Sequence, residues 1–183
     1  MNTNNHIKEE LLILVDINDA PLGKLEKLEV HKRGLLHRAF SIFIFNSDQQ
    51  LLLQQRADTK YHSPGLWTNT CCGHPQFGEE LNDAVKRRLY EEMKLKFTPE
   101  YAFNFIYKAA VENGLTEYEY DHVFIGTLNT LPHPAVEEVK NWKYMDLRVL
   151  EKDIAANPQL YTKWLKICLK KVIDTVEVNA YKN

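Results

Sequence analysis

Short apolar, β-prone runs separated by polar turns mark the first third of the chain. Leu11 to Val15 predicts a strand that ends in a turn at Asn18-Asp19-Ala20-Pro21, where Asn, Asp and Pro each favour turn geometry. Ala39 to Phe45 and Leu51 to Gln55 flank the polar run Asn46-Ser47-Asp48-Gln49-Gln50, which predicts an antiparallel hairpin. The pattern then changes. From Glu80 to Leu95 the apolar residues Leu81, Ala84, Val85, Leu89 and Met93 recur at helical spacing. That helix leaves Arg87, Arg88, Glu91 and Glu92 on other parts of its surface.

Strand-like segments return at Tyr101 to Val111 and Glu117 to Gly126, around Glu112-Asn113-Gly114, an Asn-Gly hairpin signal in a longer loop. Strand alternation would place Glu117 and Glu119 on one face. Trp142 to Met145 reads as a last strand, and Tyr161 to Val178 as an amphipathic helix carrying Trp164, Ile167, Cys168, Leu169, Val172 and Ile173. No repeat, low-complexity tract or linker interrupts the order. It predicts an α/β sandwich with a mixed sheet, one domain over residues 1–183 with its core about 12–175.

Composition narrows the function. At 183 residues, 44% apolar and 26% charged, the chain can bury one sizeable core. A net charge of -2 and a pI near 6.4 give no basic field for nucleic acid, so any positive patch is local and aimed at a small anion. The three cysteines are an odd count with two adjacent, which argues against disulfides and for a reducing compartment. Met1 to His6 has no basic leader and Leu11 to Val15 is too short for a span, so a cytoplasmic protein without a membrane partner is expected.

The chemistry-bearing residues cluster at Trp67-Thr68-Asn69-Thr70-Cys71-Cys72-Gly73-His74-Pro75 and on the helix after it. Five residues separate Gly73 from Glu79, and seven more separate Glu79 from Arg87. The segment 73–95 resembles the Nudix box, a loop-helix-loop whose glutamates hold divalent metal against a diphosphate. Two positions depart from it: Arg88 stands where that pattern has Glu, and Lys94 where it has Gly. Cys72 and His74 before the helix, with Glu117-Tyr118-Glu119, are similar to type I isopentenyl diphosphate isomerase, over Leu12 to Trp164. The resemblance implies the Nudix fold, a mixed β-sheet sandwiched between helices. It also implies conversion of isopentenyl diphosphate to dimethylallyl diphosphate in isoprenoid biosynthesis, an allylic 1,3-proton shift by protonation and deprotonation through a carbocation.

Each site residue has a plain structural reading and a functional one. By resemblance, His31, His37, His74, Glu117 and Glu119 surround one divalent ion, although a single histidine or an exposed Glu pair is by itself no site. His31 and His37 are six apart, where some family members have one more residue between them. Three imidazoles and two carboxylates suit Mn or Zn better than Mg. Glu92 matches the box glutamate for a second ion, Mg, arriving with the diphosphate. Cys72 and Glu119 are the implied proton-handling pair, with Tyr107 hydrogen-bonding near Glu119 and the Cys72 thiol expected to be reachable and partly ionised. Cys71, facing the other way along a strand, is expected to be buried.

Trp164 matches the family's cation-facing aromatic, whereas Trp67 reads as core packing. Lys27, Arg56, Lys60 and Arg88 match diphosphate-binding positions; as Lys and Arg they also read as solvated surface, Lys60 above all. The expected partner is one small molecule, isopentenyl diphosphate, taken by a monomer or homodimer. The competing functions are a Nudix hydrolase of a nucleoside diphosphate derivative and a catalytically dead Nudix binding module. The first is disfavoured by Arg88, Cys72 and His74, the second by the full ligand set.

Overall fold

The computed structural model describes residues 10–60 and 62–180, with side chains to 178. Strands β1 (Leu11–Val15) and β2 (Pro21–Glu26) form a hairpin around the expected turn. Its turn is held by Asp16, whose Oδ1 accepts from the Asn18 and Ala20 amides at 2.8 and 2.9 Å. Helix α1 (Lys27–Arg33) follows at once, capped by the Glu26 carboxylate and ended by Gly34 in the left-handed conformation (φ 58°). With only seven residues, α1 carries no helical period a reader of the sequence could count.

Strand β3 (His37–Phe45) is the centre of the sheet. It runs parallel to β8 (Thr116–Thr127), from the pair His37 and Glu119 to the pair Phe45 and Thr127, and antiparallel to β6 (Cys71–Gly73). The hairpin expected between β3 and β4 (Leu51–Arg56) therefore closes only at its turn, with Phe45 opposite Leu51. The two strands part because each has longer partners elsewhere. Strand β4 pairs with β9 (Val139–Met145) and with the two-residue β5 (Trp67–Thr68). Parallel pairing buries β3 on both faces, in keeping with its near-continuous apolar sequence. Strand β7 (Glu100–Ala110) and β8 form the Asn-Gly hairpin, with Asn113 and Gly114 both at positive φ.

Alternate residues of β3 face two helical layers. Phe40, Ile42 and Ile44 pack with Ala84, Val85, Leu89 and Met93 of α2 (Leu81–Met93). Phe43 and Phe45 pack with Leu150 of α3 (Leu147–Ala156) and with Leu165, Leu169, Val172 and Ile173 of α4 (Lys163–Ala180). This is the mixed sheet between helices that the element order predicts. Each fully buried Leu, Ile or Phe contributes about 1.5–3 kcal/mol relative to leaving it exposed. The final helix starts two residues later than expected, because Tyr161 bridges to Trp67 and its hydroxyl donates to Asp153. Helix α3 goes unannounced in the sequence except for its cap, Asp146, which accepts from the Arg148 and Val149 amides. No helix among the described residues is long and apolar enough to cross a membrane.

The end of α2 shows what the Lys for Gly replacement costs. Lys94 is left-handed (φ 56°) and its amide donates to the Tyr90 carbonyl, the αL cap that glycine fills without strain. The left-handed conformation costs an L-residue roughly 1–2 kcal/mol, and glycine returns about 0.5–1 kcal/mol of that as unfolded-state entropy. Lys94→Gly is expected to stabilise the protein by about 0.5–1 kcal/mol in denaturant unfolding. A loss of stability would contradict the αL account of this helix end.

Candidate active site

A cleft of about 600 Å³ opens where α1, β6, β8, the box helix α2 and the start of α4 meet. Its inner end gathers imidazoles. One donor atom each from His31, His37, His74 and Glu119 lie within 4.8 Å of one another. The folding reasons are local. Parallel register sets His37 beside Glu119, and Gly34 turns the chain sharply enough to bring His31 of α1 back over His37 at the start of β3. His74 follows β6 and reaches Glu119 Oε1 at 3.2 Å.

Each buried ring is oriented by its other nitrogen. His31 Nδ1 meets the Lys27 carbonyl at 2.7 Å and His37 Nδ1 meets the Leu35 carbonyl at 2.9 Å, so both Nε2 atoms point inward. His37 Nε2 is buried with no hydrogen-bond partner among the described residues, Glu119 Oε1 standing 3.7 Å away. An orphaned imidazole nitrogen beside two other inward-facing imidazoles and a carboxylate is a donor set that fits a divalent cation. Burial, with His37 alongside, pushes His74 well below its ordinary value. Burial would raise the Glu119 carboxyl, but the nearby His37 and the Tyr107 hydroxyl hold it below the usual carboxylate range. Neutral imidazole and ionised carboxylate are the states that ligate metal.

Glu117, the fifth candidate, stands one step outside this group. Strand alternation does put it on the same face as Glu119, and its Oε2 lies 3.2 Å from His31 Nε2. Its Oε1 lies 3.2 Å from Nε2 of His62, a buried residue the sequence reading missed. Burial brings His62 down to about 4, and its ring meets Trp164 edge-on with centroids 5.8 Å apart.

The thiol and the carboxylate expected to move protons both line the cleft. Tyr107 lies opposite Glu119 in the β7–β8 register and donates its hydroxyl to Glu119 Oε2 at 2.7 Å. Cys72 lies opposite Ser41, and the Asn69 amide touches its sulfur. Cys71 faces the opposite way and is fully buried in the core beneath α2, as alternation requires. The expectation of a partly ionised Cys72 is corrected. Burial, with Asp121 nearby, pushes this thiol far above its ordinary value, so it is a thiol and not a thiolate. Trp164 lines the cleft under the Arg56 guanidinium, whereas Trp67 packs on the α4 side of the core beneath Lys143.

The cations occupy the outer cleft, and each has an acceptor. Lys27 pairs with Glu10 at 2.9 Å, and Arg56 donates to the His62 and Ser63 carbonyls at 3.1 and 3.2 Å. Lys60 is no solvated surface lysine: it faces the cleft and pairs with Glu138. Arg88 binds Glu91 at 2.8 Å, Glu138 at 3.2 Å, and Glu92. Glu92 is buried, with its Oε2 accepting from Gln54 at 2.8 Å. Arg88 reaches this position because Gly73 has no side chain; a Cβ there would lie 2.9 Å from Arg88 Cγ and 3.0 Å from Phe40 Cζ. Glu138 and His62 escape sequence reading because both lie in irregular segments without a motif.

Comparison with known proteins agrees with this geometry. The NUDIX domain family matches residues 35–165. The Isopentenyl-diphosphate Delta-isomerase of Serratia proteamaculans is 48% identical over 88% of this chain and 90% of that protein. Isopentenyl-diphosphate Delta-isomerase 2 of Photorhabdus laumondii is 50% identical over 86% and 89%. In fold alone, the chain is similar to DR0079 from Deinococcus radiodurans, with a TM-score of 0.75 at 18% identity over 88% of this chain and 98% of that one. The MutT protein of Methanosarcina mazei follows at TM-score 0.60 and 17% identity, over 74% and 91%. Held together by a Nudix frame and by near-half identity to these isomerases along almost its whole length, the chain belongs to the isopentenyl-diphosphate Delta-isomerase family.

Proposed function

We propose that this protein interconverts isopentenyl diphosphate and dimethylallyl diphosphate in the cleft described above. The observation that carries the reading is the Cys72 thiol and the tyrosine-bonded Glu119 carboxylate lining one cleft. The chemistry requires such a pair. One proton adds to the terminal alkene carbon, leaving a tertiary cation, and a different proton leaves the carbon next to the oxygen-bearing methylene. The net change in protons is zero, so one group must give and the other take. Cys72 and Glu119 fill these roles and exchange them when the reaction reverses, with Tyr107 relaying the proton at Glu119.

The indole of Trp164, which lines the cleft, would stabilise the tertiary cation through its negative π-face. Lys27, Arg56, Lys60 and Arg88 hold the diphosphate, the two guanidiniums in bidentate fashion. His31, His37, His74 and Glu119, with Glu117 beside them, would hold a divalent ion, and Mn or Zn suits these imidazoles better than Mg. Such an ion supplies positive charge that fixes the Glu119 carboxylate and sets its proton affinity. Glu92 would hold a Mg arriving with the diphosphate. A small-molecule enzyme with three free cysteines, two of them buried, is placed best in the cytoplasm.

A Nudix hydrolase is disfavoured by the box itself. Arg88 stands where the box pattern has a glutamate and pairs with Glu91, which leaves fewer carboxylates free for metal than that pattern offers.

Proton NMR of isopentenyl diphosphate with the protein and Mg in deuterated water is expected to show dimethylallyl diphosphate with deuterium in its methyl group. Unchanged isopentenyl diphosphate, with nucleoside diphosphate sugars cleaved instead, would hand the site to the hydrolase reading. Cys72→Ser and Glu119→Gln are each expected to lower kcat by about 10²–10⁴-fold, with unfolding transitions close to the parent's. Near-normal turnover in either variant defeats the proposed pair. Dialysis against a chelator is expected to abolish turnover and lower Tm, and Mn or Zn to restore both. Full activity after verified removal of divalent ions would count against the histidine site.

A further inference from the structure

Behind Cys72, on the side away from the cleft, lies a chain of buried polar groups that the proposed mechanism does not use. We infer that Asn69 is a positioning residue for the Cys72 thiol, its side-chain amide placed to serve the sulfur both with and without its proton. This rests on Cys72 taking part in proton transfer as proposed above.

Asn69 is completely buried, where a polar side chain persists only with its hydrogen bonds made. Its Nδ2 lies 2.9 Å from the Cys71 carbonyl, 3.1 Å from the Ile42 carbonyl and 3.1 Å from Cys72 Sγ. Two hydrogens serve these three acceptors, so one is shared. Its Oδ1 accepts from the Thr68 hydroxyl at 2.9 Å and lies 3.2 Å from the same sulfur. The amide cannot be turned over, since that would set its oxygen against two carbonyls. The two carbonyls fix the amide this way round, so Thr68 must donate to Oδ1, and its oxygen is left to accept from Thr162 Oγ1 at 3.0 Å, just before α4. Thr68 and Thr162 are both buried. The direction Thr162 to Thr68 to Asn69 is therefore set by the fold.

The sulfur thus meets both ends of one amide. As a thiol, Cys72 points its hydrogen at Oδ1. Once that hydrogen has moved to the alkene, the Nδ2 hydrogens face the thiolate. Ser41 on the other side is a poorer donor to sulfur: it stands 3.6 Å away, and its hydrogen goes to Asp121 Oδ2 at 2.7 Å. A donor to the developing thiolate strengthens as charge forms, so its loss appears in kcat and not in substrate binding.

The test uses the full chain and three variants beside Cys72→Ser. Asn69→Ala is expected to lower kcat by about 10–100-fold with KM unchanged, the size of a hydrogen bond to a charged group. Thr68→Val, which keeps the side chain's shape and frees the amide, is expected to lower kcat by a smaller factor, and Thr68→Ser to recover most of that loss. The S–H stretching band of Cys72, isolated by infrared difference against Cys72→Ser, is expected to move toward a weaker hydrogen bond in Asn69→Ala and Thr68→Val. If Asn69→Ala fails to fold, the Thr68 pair decides. A folded Thr68→Val with parental kcat and an unmoved S–H band overturns the positioning role while leaving an inactive Cys72→Ser to support the isomerase reading. A rise in KM with the band unmoved marks a structural disturbance and overturns it too. Turnover in Cys72→Ser itself would remove the proposed role of Cys72 and this inference with it.

Discussion

The parallel pairing of β3 with β8 is the constraint from which the site follows. Its register sets His37 next to Glu119, and on its other side β3 sets Ser41 opposite Cys72. The β7–β8 hairpin then lays Tyr107 across from Glu119. A one-residue slip would turn every side chain of a strand to the other face. Such a slip would turn Phe43 and Phe45 toward α2 and Phe40, Ile42 and Ile44 toward α3 and α4, so the packing of the two layers enforces the geometry of the site. The precision comes from hydrophobic packing, not from the polar groups themselves.

The same frame sorts charge along the cleft. At the inner end, burial pushes His74 down and Cys72 up, while His37 and Tyr107 beside Glu119 hold its carboxyl below the usual range. At the outer end, Lys27 pairs with Glu10, Lys60 with Glu138, and Arg88 with Glu91, Glu92 and Glu138. These pairs are partly exposed, so each is worth little to stability. Their consequence is geometric: Lys60 and Arg88 converge on the single carboxylate of Glu138, two cations held around one anionic point.

Much of this was legible in sequence because it depends on short-range period. Alternation put Glu117 with Glu119 and separated Cys71 from Cys72, and helical spacing marked α2 and α4. What was not legible depends on distant partners. No local signal says that β3 leaves β4 for a strand about eighty residues on, since an apolar run pairs with whichever neighbour the whole sheet allows. His62 and Glu138 carry no period and gain meaning only from what lies opposite them. The ionisation of Cys72 was misjudged for the same reason, because burial belongs to the folded chain and not to the residue.

The box segment shows how one frame changes its chemistry. Gly73 still lets the loop lie on the helix, and α2 still presents Glu91 and Glu92 to the cleft. There Arg88 pairs with Glu91, Glu92 and Glu138, which sets a guanidinium among carboxylates at the cleft wall. The groups proposed to react lie on strands, Cys72 on β6 and Glu119 on β8, where backbone pairing fixes their positions. Breaking a diphosphate requires carboxylates and metal at the box, whereas moving a double bond requires two proton-handling groups held apart. On the proposed reading, Arg88 in place of a carboxylate gives the box a part in holding substrate and leaves the proton transfer to Cys72 and Glu119.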